Sequence, residues 1–540
     1  GAGTNAINDI ASFLLDQPSQ VGRDLNTFFP CYRQWWFFAF GGDKWQATPK
    51  MTIDYGLRWE FYPPATPRIA GGFSNYIPTN NTLVLAGLGS NPSNMGMQTE
   101  YRYFAPRTGI SYRITDDTVV RGGFGISYTP FPDNTYAYNY PIRANNSYQP
   151  VGIASSYTPS VLADGVTVAT FQAGFPAPVA IPIPSNGIIA GPPASQVYYY
   201  IPKNYKNPYA MSWNLVVQQA FHNDYSLQIA YVGNHGVDIS GSQNINNPSY
   251  YGGGASSDPE NHDANGNLTF GRTAATNQYF FGFSSNYQSL QAQLTKRFSH
   301  GFAFTSAFTW GKELNYGSDD DGGLLFFINW RRNYAPADYD RAKNYEQTVT
   351  YELPAGRGHA HFNSGVSDAV LGGWRITGLI SAVSGLPYPV EANGGTLNTP
   401  GTQQTATITG GFHVLHGIGS GHQWFDPTSF SQPAGCTASP CTPTNGVLGN
   451  TGRNQFRGPG YVQNNVSLAK KLALFHERTA LEMRIDAFQL TNSPEFAIPN
   501  ATSISAANFG QITGTLGSGS GTVNGVGGGR ALQASAKITF

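Results

Sequence analysis

Charge is scarce in this chain. Of its 540 residues only 11% are charged, against roughly 25% in an ordinary soluble domain, and 31 Lys+Arg are matched by 31 Asp+Glu. With no basic excess to neutralise phosphates, nucleic acid is excluded as a partner. Cysteine is scarce too. Cys31, Cys436 and Cys441 are too few for a disulfide framework, although Cys436 and Cys441 could close a small loop in an oxidising compartment. Long apolar runs are missing: no window of about 18 residues escapes polar, Gly or Pro interruption, and the greasiest stretch, 161–193, is broken by repeated prolines. Membrane-spanning helices are therefore excluded. The opening GAGTNAINDIASFLLDQ has no basic n-region and starts on Gly, so no signal peptide is visible and processing or truncation is expected.

What is present is 40% hydrophobic residues, enough to exclude a disordered chain, with 64 Gly and 36 Pro as punctuation. Length alone allows several soluble domains, but no linker or change of character separates the halves, so one continuous architecture is expected.

Most of the information lies in a period of two. Met51, Ile53, Tyr55, Leu57, Trp59 and Phe61 alternate with Thr52, Asp54, Gly56, Arg58 and Glu60, giving a strand with one apolar and one polar face. The same alternation predicts thirteen strands: 35–46, 50–62, 101–114, 118–128, 208–221, 225–234, 286–298, 302–314, 344–354, 374–384, 461–472, 478–490 and 531–540. These are longer than soluble strands and close to a tilted transmembrane one. Tight turns such as Asp116-Asp117, His222-Asn223-Asp224 and Ser299-His300-Gly301 alternate with long Gly/Asn/Pro-rich excursions. The fold class is thus all-β: a transmembrane antiparallel outer-membrane β-barrel with short periplasmic turns and long extracellular loops. Residues 1–34 form a lead-in and 35–540 the barrel. Its first and last strands both run toward the periplasm, so an even-numbered barrel lacks at least one upward strand, to be sought in 7–15 or upstream.

Several runs carry a family likeness in collinear order: FAPRTGISYRITDDTVVRGGFGISY (104–128), NPYAMSWNLVVQQAFHNDYSLQIAYVGNHG (207–236), SNYQSLQAQLTKRFSHGFAFTSAFTWGKEL (285–314), LGGWRITGLISAVSGLPYPV (371–390) and LEMRIDAFQLTNSPEFAIPN (481–500). Together they resemble the barrel of the Oar-like TonB-dependent receptors of Gram-negative bacteria. The resemblance implies the outer membrane as location, a 22-stranded barrel of which 13–14 strands lie here, and a plug domain, absent from these residues, through which TonB acts. It implies binding and energised uptake of a large nutrient at the extracellular loops. The alternatives are a surface-structural or adhesive barrel or pore without active transport, and a soluble lectin-like sandwich. The expected partners are outer-membrane lipid, the barrel-assembly machinery, TonB and an extracellular ligand.

No catalytic constellation is found. GxSxG, HExxH, CxxC, P-loop and GxGxxG motifs are all missing, so no enzyme is expected. His359 with His361 and His413 with His416 read as solvated loop histidines. Asp319, Asp320 and Asp321 could hold Ca²⁺ but read better as a solvated loop tip, and no other cofactor is expected. Asp54, Arg58, Glu60, Gln291, Gln293, Arg297, Glu482, Arg484 and Asp486 would line the lumen, as a structural network rather than a solute contact. Trp35, Trp36, Trp59, Tyr62 and Trp374 read as an interfacial girdle. Leu532, Ala534, Ala536, Ile538 and Phe540 resemble the terminal signal by which such barrels are recognised for assembly.

Overall fold

The computed structural model describes residues 10, 13–16, 18, 21–26, 31–130, 139–148, 167–174, 181–194, 196–245, 275–318, 326, 329–356, 359, 361–392, 404–436, 446–474, 479–501, 504–516 and 528–540. Asp319, Asp320, Asp321 and Cys441 lie outside them, as does the side chain of Cys436, while Cys31 is an exposed free thiol.

Thirteen long strands pair antiparallel in sequence order: β1 Phe37–Thr48, β2 Met51–Phe61, β3 Tyr103–Arg113, β4 Thr118–Tyr128, β5 Tyr209–Phe221, β6 Tyr225–Asn244, β7 Thr276–Ser299, β8 Phe302–Asn315, β9 Lys343–Glu352, β10 Trp374–Val383, β11 Tyr461–Ala473, β12 Ala480–Phe488 and β13 Ala531–Thr539. Among the described residues β1 and β13 each pair on one side only. Of the described residues in 7–15, Ile10, Phe13 and Leu14 are helical and none pairs in a sheet, and Val21–Asn26 pairs with Arg143–Tyr148 outside the large sheet.

Register sorts the side chains, because directly opposed residues share a face. Leu57 opposes Pro106, Val120 opposes Val217, Val217 opposes Ile229, Leu290 opposes Trp310, Ile376 opposes Leu468 and Ile485 opposes Ala534, so one apolar face runs from β2 to β13. Its members stay exposed in the isolated chain, Leu215 at 53%, Trp310 at 58% and Ile485 at 54%. Only a lipid solvent makes such a wall favourable.

The periplasmic turns follow from residues that tolerate left-handed backbone. His222 (φ 48) and Asn223 (φ 57) turn β5 into β6, and His300 (φ 52) with Gly301 (φ 76) turns β7 into β8. A side chain on Gly301 would sit 2.8 Å from the Glu352 carbonyl oxygen. One periplasmic connection is longer than a turn: between β9 and β10 the helix α1, Gly365–Leu371, docks against Trp374 and Lys470.

The hairpin β6–β7 overruns its predicted length. It has 20 and 24 residues where alternation marked 225–234 and 286–298. The extension crosses a register shift at Gly236–Ile239 and continues beyond the span a bilayer requires. Residues above the bulge are no longer lipid-facing, so their sequence loses the apolar period that betrayed the lower part.

Candidate functional site

The face opposite the apolar one is polar. On β2, Arg58 ion-pairs with Glu60, which is fully buried and also accepts from Tyr62 Oη at 2.5 Å. Tyr62 is therefore a buried partner of this face and not a girdle residue. On β12, Arg484 Nε donates to Asp486 at 2.7 Å and its Nη2 to Ser467 Oγ at 3.0 Å; Glu482 lies 3.5 Å from Arg375. Gln291 donates to Ser289 Oγ at 3.2 Å and Gln293 to Thr295 Oγ1 at 3.2 Å. Asp54 is on the same face, opposite Lys44 and Gly109, with no ion pair among the described residues. Arg297 falls past the β7 bulge, where its N–H donates to Asp224 O at 2.7 Å at the periplasmic end. Seven of the nine predicted polar residues thus make local ion pairs or hydrogen bonds, Asp54 and Arg297 do not through their side chains, and the nine are spread over β2, β7 and β12 and not gathered in one cluster. Alternation missed Lys44 because Gly41, Gly42 and Asp43 break the period on β1, and Arg107 and Arg121 because 103–113 and 118–128 are interrupted by Pro and Gly.

Above the sheet, the long connections are folded into two packed bodies. The first joins segments of 63–100, 139–142 and 198–205 around Phe73, Met95, Met97, Ile201, Tyr205 and Tyr279, with a second cluster of Tyr76, Leu83, Tyr140 and Tyr198. Asn75 locks it by donating to Ile201 O and accepting from Ile201 N, both at 2.9 Å. A hollow of about 540 Å³ opens on this body, with Thr82, Gln98, Tyr200 and Lys203 over Ile77 and Val84.

The second body joins the β10–β11 and β12–β13 loops around Tyr388, Val390, Trp424, Phe425, Phe430, Phe456, Phe509 and Ile512. Burial raises the pKa of Glu391 within it and that of Glu495 beside it. Three arginines tie this body to the β8–β9 loop. Arg332 donates to Gly449 O at 2.6 Å and Thr451 O at 2.9 Å. Arg453, 8% exposed, donates to Asn315 O and Oδ1, Asn333 O, Ser318 Oγ and Asp338 Oδ1 at 2.8–3.1 Å. Arg457 ion-pairs with Asp340. At the foot of the first body, the Arg102 guanidinium holds the Glu100 carboxyl down to about 2.

His416 packs edge-on against Trp424, and among the described residues no group of three or more His, Cys, Asp or Glu side chains is placed to hold a metal. Leu532, Ala534, Ala536, Ile538 and Phe540 lie on the edge strand β13 and just past it, with Phe540 98% exposed.

The chain is similar to FpvA of Pseudomonas aeruginosa, solved bound to heterologous pyoverdines (8% identity, 94% of this chain and 38% of FpvA, TM-score 0.40). It is likewise similar to the siderophore receptor PiuA of Acinetobacter baumannii (9%, 94% and 43%, 0.40) and the outer membrane transporter YddB of Escherichia coli (8%, 94% and 54%, 0.42). The chain therefore spans 38–54% of the length of these three structures. A search of curated proteins finds no significant match. The family model described as outer membrane beta barrel domain matches residues 1–533. With that match over nearly its whole length, on a sheet with one continuous apolar face, the chain belongs to this family, as a β-barrel of the Gram-negative outer membrane.

Proposed function

We propose that this chain is the barrel part of an Oar-like TonB-dependent receptor, which binds a large nutrient at its extracellular loops and admits it with energy delivered by TonB through a plug domain that these 540 residues do not include. The polar face then lines the lumen. The observation that carries this reading is the pair of loop bodies, each with its own apolar core, the second tied to the β8–β9 loop by Arg332, Arg453 and Arg457. A passive pore gains nothing from ordering so many loop residues at roughly 1–2 kcal/mol of backbone entropy each, whereas a receptor needs a preorganised surface. The mechanism is conformational rather than covalent.

The sheet edges extend the proposal. β1 and β13 run in the same direction, so antiparallel closure takes an odd number of further strands, and nine complete a 22-stranded barrel. Phe540 and the apolar positions of β13 serve recognition by the barrel-assembly machinery, so Phe540→Ala should lower the yield of folded barrel in outer membranes; an undiminished yield would refute that role.

Uptake tests the whole reading. Accumulation of candidate nutrients is compared in cells lacking the protein, cells lacking TonB and cells with both. Equal loss in the two deficient strains is expected. Loss without the protein but not without TonB would show a passive pore, and no loss in either would show a surface scaffold.

A further inference from the structure

The net charge of zero conceals an uneven wall. β5 carries no charged residue, and neither do 225–235 of β6 nor 286–295 of β7. On β10 to β12 Arg375 pairs with Glu482 and Arg484 with Asp486, and Lys471, which has no ion pair among the described residues, stands opposite Glu482. The polar face of β1 to β4 differs. Lys44, Arg107 and Arg121 are exposed and make no ion pair or side-chain hydrogen bond among the described residues, and only Asp54 is unpaired with them.

Register gives the arginines of this face an order. Arg58 opposes Ala105, Arg107 opposes Gly56 and Gly125, and Arg121 opposes Ser111 and Val216. From the extracellular end downward, Arg58, Arg107 and Arg121 therefore descend one strand at a time, at about 8 Å and then about 14 Å from the strand spacing and rise. Between the steps the wall carries few side chains of its own: Gly42 opposes Gly56 and Gly109 opposes Gly123, with Asn214 lying over Gly123 and the Arg107 stem over Gly56. Phe40, Lys44, Asp54, Arg58 and Arg107 surround the upper part as a hollow of about 550 Å³.

We propose that the polar face of β1 to β4 is a descending anion-binding strip, along which the protein guides a solute bearing carboxylate or phosphate groups. The inference rests on the reading that this face borders the lumen, and it names the class of solute. Two features carry it together. Arg107 and Arg121, unneutralised on one wall, attract an anion that the uncharged wall of β5 to β7 does not, and the small residues between them let that anion be passed from one guanidinium to the next. Arg58 already serves Glu60, so it holds a position at the top of the strip while Arg107 and Arg121 have their donors free.

The test uses the full-length protein in outer membranes, with Cys31→Ser, Cys436→Ser and Cys441→Ser as background. A single thiol is placed on the strip by Ser111→Cys, beside Arg121, or on the uncharged wall by Thr309→Cys, opposite Gln291. Each is reacted with methanethiosulfonates of opposite charge, a sulfonate and a trimethylammonium. The ratio of the two rates reports local potential, since any shift in thiol reactivity affects both reagents alike. The anionic-to-cationic ratio should be about 10-fold higher at Ser111→Cys than at Thr309→Cys. It should fall to within about 2-fold in the presence of Arg107→Gln and Arg121→Gln, or in 1 M salt. Equal ratios at the two positions would overturn the proposal. So would a Ser111→Cys thiol that neither reagent reaches while Thr309→Cys reacts, because a polypeptide segment would then cover the strip. If Thr309→Cys is itself unreactive, the lumen reading fails first.

Discussion

Replacing Arg453 with Met should open the extracellular roof without unfolding the barrel. The guanidinium makes five hydrogen bonds at 2.8–3.1 Å, to Asn315 O and Oδ1, Asn333 O, Ser318 Oγ and Asp338 Oδ1. Met keeps much of the volume and removes every donor. Asn315 is 5% exposed and Asn333 fully buried, so their carbonyls lose partners that water reaches poorly. Breaking a buried charged contact from one side costs about 3–5 kcal/mol, but the Asp338 side chain is 57% exposed and rehydrates, which places the expected cost near 3 kcal/mol. That is roughly 150-fold in the equilibrium between closed and open roof. Proteolysis under native conditions reads it directly, because cleavage of 329–342 and 446–460 tracks the open population when closing is fast. Arg453→Lys, with one point charge for a planar fork, should fall between the two. If Arg453→Met changes cleavage by less than about 5-fold, the clamp contributes little and the loop bodies are held by their apolar cores alone.

Three further outcomes follow from the same structure. Burial raises the pKa of Glu391 and Glu495, so the folded second body binds their protons more tightly than the unfolded loop; its stability is full below the ordinary carboxylate range and lost as pH rises through the raised values. Protection of the Ala406 amide, which donates to Val390 O at 2.9 Å, should fall with rising pH after correction for intrinsic exchange, and Glu391→Gln with Glu495→Gln should flatten that slope; an unchanged slope would remove both carboxyls from the account. Gly233→Ala would drive a Cβ to 2.3–2.6 Å from the Trp213 ring and should destabilise the barrel by about 1–3 kcal/mol in urea titration, unless the ring swings aside at no cost. Lys296 sits on the apolar face, yet its Nζ reaches Ser299 Oγ at 2.6 Å, Phe302 O at 3.1 Å and Asp224 at 3.1 Å. Lys296→Met should lower the thermal midpoint by about 2–4 °C, and an unchanged midpoint would show that the knot is ornamental.

The strands were legible because membrane strands are written in a single variable. Leu57, Trp59, Leu290, Leu294, Ile485 and Ile538 had to be apolar for lipid, and a period of two cannot be mistaken once repeated over ten residues. Strand ends outside the bilayer escape that rule, which is why β6 ran on to Asn244 and β7 began at Thr276. The helix Gly365–Leu371 is too short to show a period. The loop bodies were illegible for a different reason. Tyr388, Phe425, Phe456 and Phe509 meet from segments up to 121 positions apart in sequence, and nothing in the local spacing of Gly, Pro and aromatic residues specifies that meeting. Arg453 and Arg457 looked like loop polarity, whereas their partners at 315, 338 and 340 lie more than a hundred residues away.

Charge shows most sharply what register adds to composition. Equal numbers of acidic and basic residues argue against steering of a charged solute as long as they are treated as a sum. A solute inside a barrel does not meet the sum; it meets one wall at a time, over a screening length of about 8 Å at physiological salt. Paired charges such as Arg484 and Asp486, at 2.7 Å, cancel within that length. Unpaired Arg107 and Arg121, about 14 Å apart by strand geometry, do not, because their nearest neighbours are Gly56, Gly109, Gly123 and Ser111. A chain with little charge is therefore better able to present a polarised wall than a highly charged one: with few ions to distribute, leaving two arginines without partners is enough to set the local field.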